Sequence, residues 1–181
     1  MKSLVGNRLP RFTEAQSKLL KGSLDFLGVN YYTTNYVESA PSSNGVNVSI
    51  VSDRQATLTA DKNGTPIGTP TALNWLFIYP KGLRELLQYI KENYNNPVIY
   101  ITENGMADAN NRSLPIKDAL KDSLRIRYHY GHLSYLLKAI KEGVNVKGYY
   151  DWSFFDDFEW DGGYTARFGL IFVDFNNNLR R

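Results

Sequence analysis

The chain has 181 residues, of which 43% are hydrophobic and 22% are charged, an ordinary composition for a globular domain rather than a disordered segment. The net charge is only +3 and the basic residues are scattered, so the sequence lacks the basic stripe that indicates a nucleic-acid partner. The absence of cysteine excludes disulfides and thiolate metal sites.

The N-terminal residues, Met1–Arg11, are polar and basic and contain no apolar stretch of signal-peptide length. No span reaches the ~20 apolar residues of a membrane helix, so we expect no membrane partner. Acceptor sequons for N-glycosylation at Asn47, Asn63 and Asn111 are nevertheless typical of a secretory protein. We therefore expect that an upstream segment is missing, and the localisation of the chain itself stays open.

The first predicted elements are a short helix and a strand. Thr13 and Gln16 have the spacing of a capping box, which predicts the start of a helix. The mostly apolar run Leu24–Tyr32 is typical of a strand that is buried on both faces. From Pro41 to Pro70 the sequence is rich in Ser, Asn, Thr, Gly and Pro, which predicts a long loop with a minor hairpin.

A helix and a second strand follow this loop. Leucines and an isoleucine recur at helical spacing in Lys81–Asn93, directly after Pro80, and predict a helix. The β-branched run Val98–Thr102 predicts the second strand. It leads into Glu103-Asn104-Gly105, which we interpret as a turn, so this strand ends at a carboxylate.

A second long helix is predicted over Ile116–Glu142 and a third strand over Val144–Trp152. His129 and His132 lie in this helix, at a spacing that is able to bind a metal. No acidic residue completes a recognisable metal motif on that face, so we interpret both histidines as polar tips of an amphipathic helix. The apolar stripe expected to face the core consists of Leu120, Leu124, Tyr128, Leu133, Leu136, Leu137 and Ile140.

The order strand, helix, strand, helix, strand predicts parallel strands joined by right-handed crossovers, and therefore the α/β fold class. Three such strands do not close a barrel, since a complete (β/α)8 barrel takes about 250 residues. The chain is thus either a small open sheet or a piece of something larger. A nucleotide-binding α/β domain is a poor alternative, because the sequence has no glycine-rich phosphate loop.

The candidate functional residues are carboxylates that follow predicted strands. Glu103 alone is ambiguous, because a carboxylate before Asn-Gly is often a solvated turn residue. Glu159, past the third strand, is bracketed by Trp152 and Trp160. Aromatic faces stack on the apolar faces of sugar rings, and carboxylates accept paired hydrogen bonds from neighbouring hydroxyls. The pattern therefore indicates a sugar pocket.

The segment around Glu159 also contains residues that we expect to be structural. Phe154, Phe155 and Phe158 are expected in the core. A buried core rarely contains carboxylates as closely spaced as those of Asp156, Asp157, Glu159 and Asp161. This spacing favours a function for Glu159 and its flanking indoles.

Three segments, Phe26–Tyr32, Tyr100–Gly105 and Trp152–Trp160, closely resemble glycoside hydrolase family 1, and most of all its plant β-glucosidases. The likeness covers essentially the whole chain. Members of the family are (β/α)8 barrels that cleave β-linked glucosides with retention of configuration and need no cofactor. The resemblance implies that residues 1–181 are the C-terminal part of a single catalytic barrel, with its sixth to eighth strands, their helices and a long loop, and that the N-terminal half is absent. Full-length relatives are expected in the vacuole or outside the cell.

The resemblance also implies roles for individual residues. Glu103 would be the nucleophile that forms a covalent glycosyl-enzyme, and Tyr32 would hydrogen-bond this carboxylate and orient it. Glu159 would bind two sugar hydroxyls and Trp160 a third. The remaining expected substrate-binding residues are Asn30, Trp152 as the stacking floor, Phe168 as the pocket wall and Trp75 beside the leaving group.

Two positions depart from the family pattern. Asp151 stands where the family usually has Ala before Trp-Ser, and Asp157 stands where it usually has Asn before Phe-Glu-Trp. Both add negative charge beside the sugar-binding loop. A larger departure is that the family's Asn-Glu-Pro segment, which carries the acid/base glutamate, does not occur in the sequence, nor do its glycone-binding Gln and its His.

The sequence thus predicts a β-glucosidase-like retaining O-glycosyl hydrolase that lacks the acid/base half of its site and is expected to be inactive alone. The alternative is a non-catalytic remnant with a residual sugar-binding or interaction role. Exposed barrel edges leave association with other chains open.

Overall fold

The computed structural model of the chain describes residues 6–40, 49 and 54–181. Part of the predicted long loop, including the sequon at Asn47, lies outside the described residues. The chain divides into two compact units, the first of residues 1–25 with 35–66 and the second of residues 26–34 with 67–181.

The helices are α1 (Glu14–Leu20), α2 (Pro80–Asn93), α3 (Ile116–Ala119) and α4 (Ser123–Lys141), with short 3₁₀ turns at Gly6–Arg8 and Trp160–Gly162. The strands are β1 (Leu27–Asn30), β2 (Tyr36–Ser39), β3 (Ala56–Thr59), β4 (Asp61–Lys62), β5 (Thr65–Pro66), β6 (Thr69–Pro70), β7 (Phe77–Ile78), β8 (Ile99–Glu103), β9 (Asp108–Ala109), β10 (Val146–Tyr149) and β11 (Ala166–Arg167). No helix among the described residues is long and apolar enough to cross a membrane.

The first unit contains α1 and two antiparallel strand pairs. The predicted capping box is confirmed, because the Thr13 side chain accepts from the amide of Gln16 at 3.2 Å and Gln16 accepts in return from the amide of Thr13 at 2.8 Å. Strand β2 pairs with β3 and β4 pairs with β5, the latter through Asn63 and Gly64, which both have positive φ. The predicted loop therefore contains more strand pairing than the one minor hairpin expected.

The second unit is built on the predicted parallel sheet, in the order β1, β8, β10. Helices α2 and α4 pack together on one face of this sheet. The core between them is apolar: Ile99 and Ile101 of the central strand β8 are fully buried against Leu83 and Leu87 of α2 and Leu136 of α4. Strand β8 ends at Glu103, which therefore lies at the carboxyl edge of the sheet.

The prediction that the first strand is buried on both faces was wrong. Strand β1 is shorter than Leu24–Tyr32, and only Leu27 and Val29 pack on the helices, whereas Gly28 and Asn30 are exposed. The apolar run predicts a strand between two layers, but the helices cover only one face of β1, and its opposite face, with Gly28 and Asn30, is exposed.

The predicted helix Ile116–Glu142 is two helices. It breaks at Leu120–Asp122, where Asp122 becomes the N-cap residue of α4. Aspartate is a weak helix former in helix interiors and is favourable at a helix N-terminus, where its charge complements the helix dipole. The Asp122 carboxylate also binds the Nε of Arg125 at 2.6 Å, which fixes the start of the second helix.

The buried face of α4 differs from the predicted apolar stripe. The buried residues of α4 recur three or four positions apart and are Arg125, Tyr128, His132, Leu136 and Ala139. Leu133, Leu137 and Ile140 of the predicted stripe are exposed instead. The interpretation of His132 as a polar tip was therefore wrong, because its side chain is fully buried beside Tyr128.

Candidate active site

Glu103 is the last residue of β8, and its carboxylate is held by a residue that follows the neighbouring strand. Tyr32 donates its hydroxyl to Glu103 Oε2 at 2.5 Å. Parallel strands bring their carboxyl ends to one edge of the sheet, which is why these two residues meet. Burial, followed by the hydrogen bond to Glu103, raises the pKa of Tyr32 well above its usual range, so this hydroxyl keeps its proton.

The residue after Glu103 is clamped by buried hydrogen bonds. Asn104 is fully buried, and its amide nitrogen donates to the carbonyl of Tyr31 and to the hydroxyl of Tyr128, both at 2.7 Å. Its amide oxygen accepts from the hydroxyl of Tyr149 at 2.7 Å. The interpretation of Glu103-Asn104-Gly105 as a turn was therefore wrong, because no turn forms there and all polar atoms of the Asn104 side chain are used inside the protein.

Gly105 lies where two backbones meet. A Cβ on Gly105 would lie 1.7 Å from the carbonyl oxygen of Trp152, a distance that no side chain allows. The amide of Trp152 also donates to the carbonyl of Asn104 at 3.1 Å, and the peptide between Trp152 and Ser153 is cis. The segments that follow β8 and β10 are thus in direct backbone contact.

Glu159 is the second carboxylate of the site. It is 6% exposed, and its Oε1 accepts from the indole nitrogen of Trp152 at 2.8 Å. Burial raises the pKa of Glu159 to about 7, an effect that the nearby carboxylates of Asp157 and Glu103 increase and the Trp152 hydrogen bond opposes. Both the charged and the neutral form of this carboxyl group are therefore populated at neutral pH.

The segment that carries Glu159 is held by a buried ion pair. The guanidinium of Arg167 binds Asp156 Oδ2, and the same carboxylate accepts from the amides of Gly169 and Val173 at 3.0 Å each. Asp156, one of the closely spaced acids of this segment, is itself buried and serves to hold the loop. A carboxylate that accepts several backbone hydrogen bonds fixes the path of the chain around it.

Arg125, on the buried face of α4, is a residue that the sequence analysis missed. Its guanidinium donates to the carbonyls of Met106 at 2.7 Å, Phe168 at 3.0 Å and Arg167 at 3.2 Å. One helix residue thus ties together the segments after β8 and around β11. The sequence does contain a signal for its burial, because Arg125 lies on the same helical face as Tyr128 and Leu136. An arginine on a buried face is expected to have hydrogen-bond partners.

The structure brings all of the predicted site residues to one cavity of about 240 Å³. The predicted residues that line it are Asn30, Tyr32, Trp75, Glu103, Trp152, Glu159, Trp160 and Phe168. Leu73, Asp161 and Gly162 complete the lining. No lysine or arginine is among these described lining residues, so the cavity is acidic.

The cavity walls differ in how firmly they are packed. Phe168 is buried, and its ring meets that of Tyr32 edge-on with 6.0 Å between centroids. Trp75 meets the same tyrosine at 6.2 Å but is half exposed, and Trp160 is 85% exposed. Asn30 accepts from the hydroxyl of Thr102 at 2.7 Å, which fixes its amide. The tyrosine side of the cavity is therefore packed, whereas the indole of Trp160 is free to contact a ligand.

The expectation that the phenylalanines near Glu159 belong to the core was wrong for two of them. Phe154 and Phe158 are each 63% exposed, and only Phe155 is half-buried. These residues lie in a segment that forms no strand of the main sheet, so its aromatic residues do not alternate between a buried and an exposed face.

The cavity combines the carboxylates of Glu103, Glu159 and Asp161 with aromatic walls beside the carboxyl ends of parallel strands, which is the kind of site that glycoside hydrolases carry. The sequence profile named glycosyl hydrolase family 1 matches residues 1–181. The chain belongs to this family.

Several curated plant enzymes are similar to the chain. Beta-glucosidase 12 of Oryza sativa is 56% identical over 181 residues, which are 100% of this chain and 36% of the rice enzyme. Raucaffricine-O-beta-D-glucosidase of Rauvolfia serpentina is 49% identical over 183 residues, which cover 100% of this chain and 34% of that enzyme. The chain thus spans little more than a third of the length of the curated relatives that it matches.

Solved structures give the same result for the fold. A rice beta-glucosidase in a covalent complex with Glc matches with a TM-score of 0.93 and 48% identity, over 99% of this chain and 38% of that one. The beta-glucosidase of the fungus Humicola insolens in complex with glucose matches with a TM-score of 0.87 and 36% identity, over 100% of this chain and 38% of that one. The open sheet is therefore a part of the family's (β/α)8 barrel, as the sequence predicted.

Proposed function

We propose that this chain supplies the nucleophile half of a retaining β-glucosidase site. Glu103 attacks the anomeric carbon of a β-glucoside and forms a covalent glycosyl-enzyme. The observation that carries the proposal is the 2.5 Å hydrogen bond from Tyr32 to Glu103 Oε2 at the wall of the 240 Å³ cavity. This hydrogen bond holds one carboxylate oxygen, so the other is directed as the attacking atom.

The glucosyl unit is recognised by the residues opposite Glu103. Glu159 is oriented by the indole N–H of Trp152 and accepts hydrogen bonds from two neighbouring hydroxyls. The exposed indole of Trp160 donates to a third hydroxyl, and the face of Trp152 supports the sugar ring. Because Glu159 binds hydroxyl donors best as a carboxylate, affinity for glucose is expected to fall as the pH drops through about 7.

The leaving group decides which glycosides react. Departure of a poorly acidic alcohol needs a proton from a general acid, and the Asn-Glu-Pro segment that would supply it does not occur in the sequence. Loss of such assistance typically slows a reaction by a factor of about 10² to 10⁴. A dinitrophenolate leaving group needs no proton, so the first step with such a glucoside depends mainly on Glu103.

The test compares two glucosides on the purified chain. We expect dinitrophenyl β-glucoside to release about one equivalent of dinitrophenolate in an initial burst, and methyl β-glucoside to show no measurable hydrolysis. The burst should vanish in Glu103→Gln, which keeps the shape of the side chain and removes the nucleophile. Saturable binding of glucose without any burst would replace the proposal with the non-catalytic sugar-binding alternative. A burst that survives in Glu103→Gln would assign the nucleophile to another carboxylate.

A further inference from the structure

A pair of ionisable residues that the proposed mechanism does not use, His129 and Asp151, lies outside the lining of the cavity. Asp151 Oδ1 lies 3.0 Å from Nε2 of His129, and both side chains are largely buried. Both oxygens of Asp151 and Nε2 of His129 are inaccessible to solvent and have no other partner at hydrogen-bonding angles. The contact is therefore defined by its short distance rather than by an aligned hydrogen bond.

The hydrogen bonds around Asn104 determine where the protons lie. The Asn104 amide nitrogen faces the carbonyl of Tyr31, which only accepts, so the amide oxygen must face Tyr149. The single hydroxyl proton of Tyr149 is then used on Asn104. Because the same hydroxyl lies 3.1 Å from Nδ1 of His129, that ring nitrogen must be the donor and carry a proton.

With Nδ1 protonated, two arrangements remain for Nε2 of His129. A bare Nε2 would place its lone pair against the carboxylate of Asp151 at 3.0 Å, which leaves a buried negative charge with no partner. A proton between the two atoms removes this conflict, and it belongs on Nε2 because an imidazole is ordinarily a stronger base than a carboxylate. The ring is then a cation and the contact an ion pair. The network thus favours a doubly protonated His129.

The second histidine provides a contrast within the same helix. His132 donates from Nδ1 to the carbonyl of Tyr128 at 2.8 Å, and its Nε2 is buried with no partner. Burial lowers the pKa of His132 to about 4, against the opposing effect of the hydrogen bond to Tyr128 and with a smaller contribution from the nearby His129. His132 is therefore neutral at pH 7, with its proton on Nδ1.

We propose that Asp151 and His129 form a buried carboxylate–imidazolium pair. The pair holds the hydrogen bond from Tyr149 to Asn104, the residue after Glu103, so Asp151 and His129 are positioning residues of the site. The consequence at Glu103 rests on the proposed function, whereas the pair itself does not. Asp151 directly precedes Trp152, whose indole orients Glu159, so the pair lies beside the supports of both carboxylates.

The pair is tested by nitrogen NMR of the full chain labelled with ¹⁵N-histidine, which contains only 2 histidines. At neutral pH we expect one ring with two bound protons, His129, and one ring with a proton on Nδ1 alone, His132. In Asp151→Asn, which keeps the size of the side chain and removes its charge, His129 should lose its Nε2 proton. The matched control Asp157→Asn removes the charge of a nearby exposed aspartate and should leave both rings unchanged. A neutral His129 in the parent chain, or one unaffected by Asp151→Asn, would overturn the pair.

The positioning role is tested by the rate at which a dinitrophenyl 2-fluoro-β-glucoside labels the chain covalently. We expect Asp151→Asn and His129→Gln to lower the maximal labelling rate several-fold without changing the half-saturating glucoside concentration, because they act on orientation rather than on sugar binding. The double variant should be no slower than either single variant, since the two residues act as a unit. Parent rates in all three variants, or additive losses, would overturn the positioning role. Absence of labelling in the parent chain would instead contradict the proposed function, and the NMR test would still decide the pair.

Discussion

The two carboxylates of the site are held in different ways. Glu103 is the end of the central strand of a parallel sheet, and the next residue, Asn104, is fixed by buried hydrogen bonds to Tyr31, Tyr128 and Tyr149. Glu159 lies outside the main sheet, in a segment whose bridges, from Glu159 to Gly163 and from Phe155 to Ile171, are isolated. Its position therefore depends on short backbone contacts and on side-chain contacts rather than on a strand of the main sheet.

This difference teaches which parts of the site follow from local sequence and which depend on distant partners. The strand that ends at Glu103 needs only its apolar pattern and its neighbours in the sheet. The segment around Glu159 needs Asp156, Arg167 and Arg125, which come from different elements and meet only in the folded chain. We expect substitutions on the two sides to fail in correspondingly different ways.

The largest effect is expected from Asp156→Ala. This change leaves the buried guanidinium of Arg167 without its carboxylate and frees the amides of Gly169 and Val173. Removal of one partner of a buried ion pair typically costs about 3 to 5 kcal/mol, so we expect a loss of that size in the free energy of unfolding. Urea unfolding measures it, with Asp157→Ala at an exposed position as the matched control. A loss no larger than that of the control would show that the ion pair does not hold the Glu159 segment.

The next largest effect is expected from Gly105→Ala, on the Glu103 side. The new Cβ would meet the carbonyl oxygen of Trp152 at 1.7 Å, so the two backbones must separate. Overpacking of this kind typically costs about 1 to 3 kcal/mol, and we expect the upper end of the range in urea unfolding. Gly162→Ala is the control on the other side, because its Cβ would meet its nearest atom at an ordinary 3.6 Å. Equal stabilities of the two variants would contradict the close backbone approach at Gly105.

A smaller and pH-dependent effect is expected from Glu159→Gln. Because burial raises the pKa of Glu159 to about 7, its contribution to stability is fully present below the ordinary pKa of a glutamate and is lost as the pH rises through about 7. The glutamine variant should therefore be more stable than the parent chain above pH 7, by about 2 kcal/mol once solvent screening is allowed for, and equally stable below pH 4. Urea unfolding across this range gives the difference. A difference that does not vary with pH would contradict the raised pKa.

The smallest effect is expected from Tyr32→Phe, which removes one hydrogen bond to Glu103 and keeps the ring contacts with Trp75 and Phe168. We expect covalent labelling by the 2-fluoro-glucoside to slow about ten-fold, which equals about 1.4 kcal/mol. Glucose affinity should stay the same, because the Glu159 side is untouched. An unchanged labelling rate would mean that the sheet alone orients Glu103.

Much of the fold could be predicted from the sequence, and every residue predicted for the site lines the cavity. The run Val98–Thr102 and the helix Lys81–Asn93 carry strong local patterns, and the structure reproduces both to within one residue at each end. Glu103, Glu159 and its flanking indoles were predicted because acidic and aromatic residues follow strands, and the other lining residues were predicted only because whole segments resemble a known family. Their assembly in one cavity is the consequence of parallel strands that end at one edge.

The parts that sequence reasoning missed are buried polar residues. No local pattern shows that Arg125, Asn104 and His132 are buried. The burial of Arg125 and Asn104 depends on hydrogen-bond partners 19 or more residues away. The burial of His132 depends on its packing beside Tyr128. The exposed face of β1 was missed for a related reason. An apolar run shows that a strand is able to be buried on both faces but not that a second layer is present.

The most direct test of the central claim is to locate the glucosyl group on the chain after reaction with the dinitrophenyl 2-fluoro-β-glucoside. The fluorine slows hydrolysis of the covalent intermediate, so the adduct survives digestion and peptide mass mapping. We predict one adduct for each chain, on the peptide that contains Glu103, and none on the same peptide of Glu103→Gln. An adduct on Glu159 or Asp161, or no adduct on chain shown to be folded, would contradict the claim that this chain holds a nucleophile ready to react.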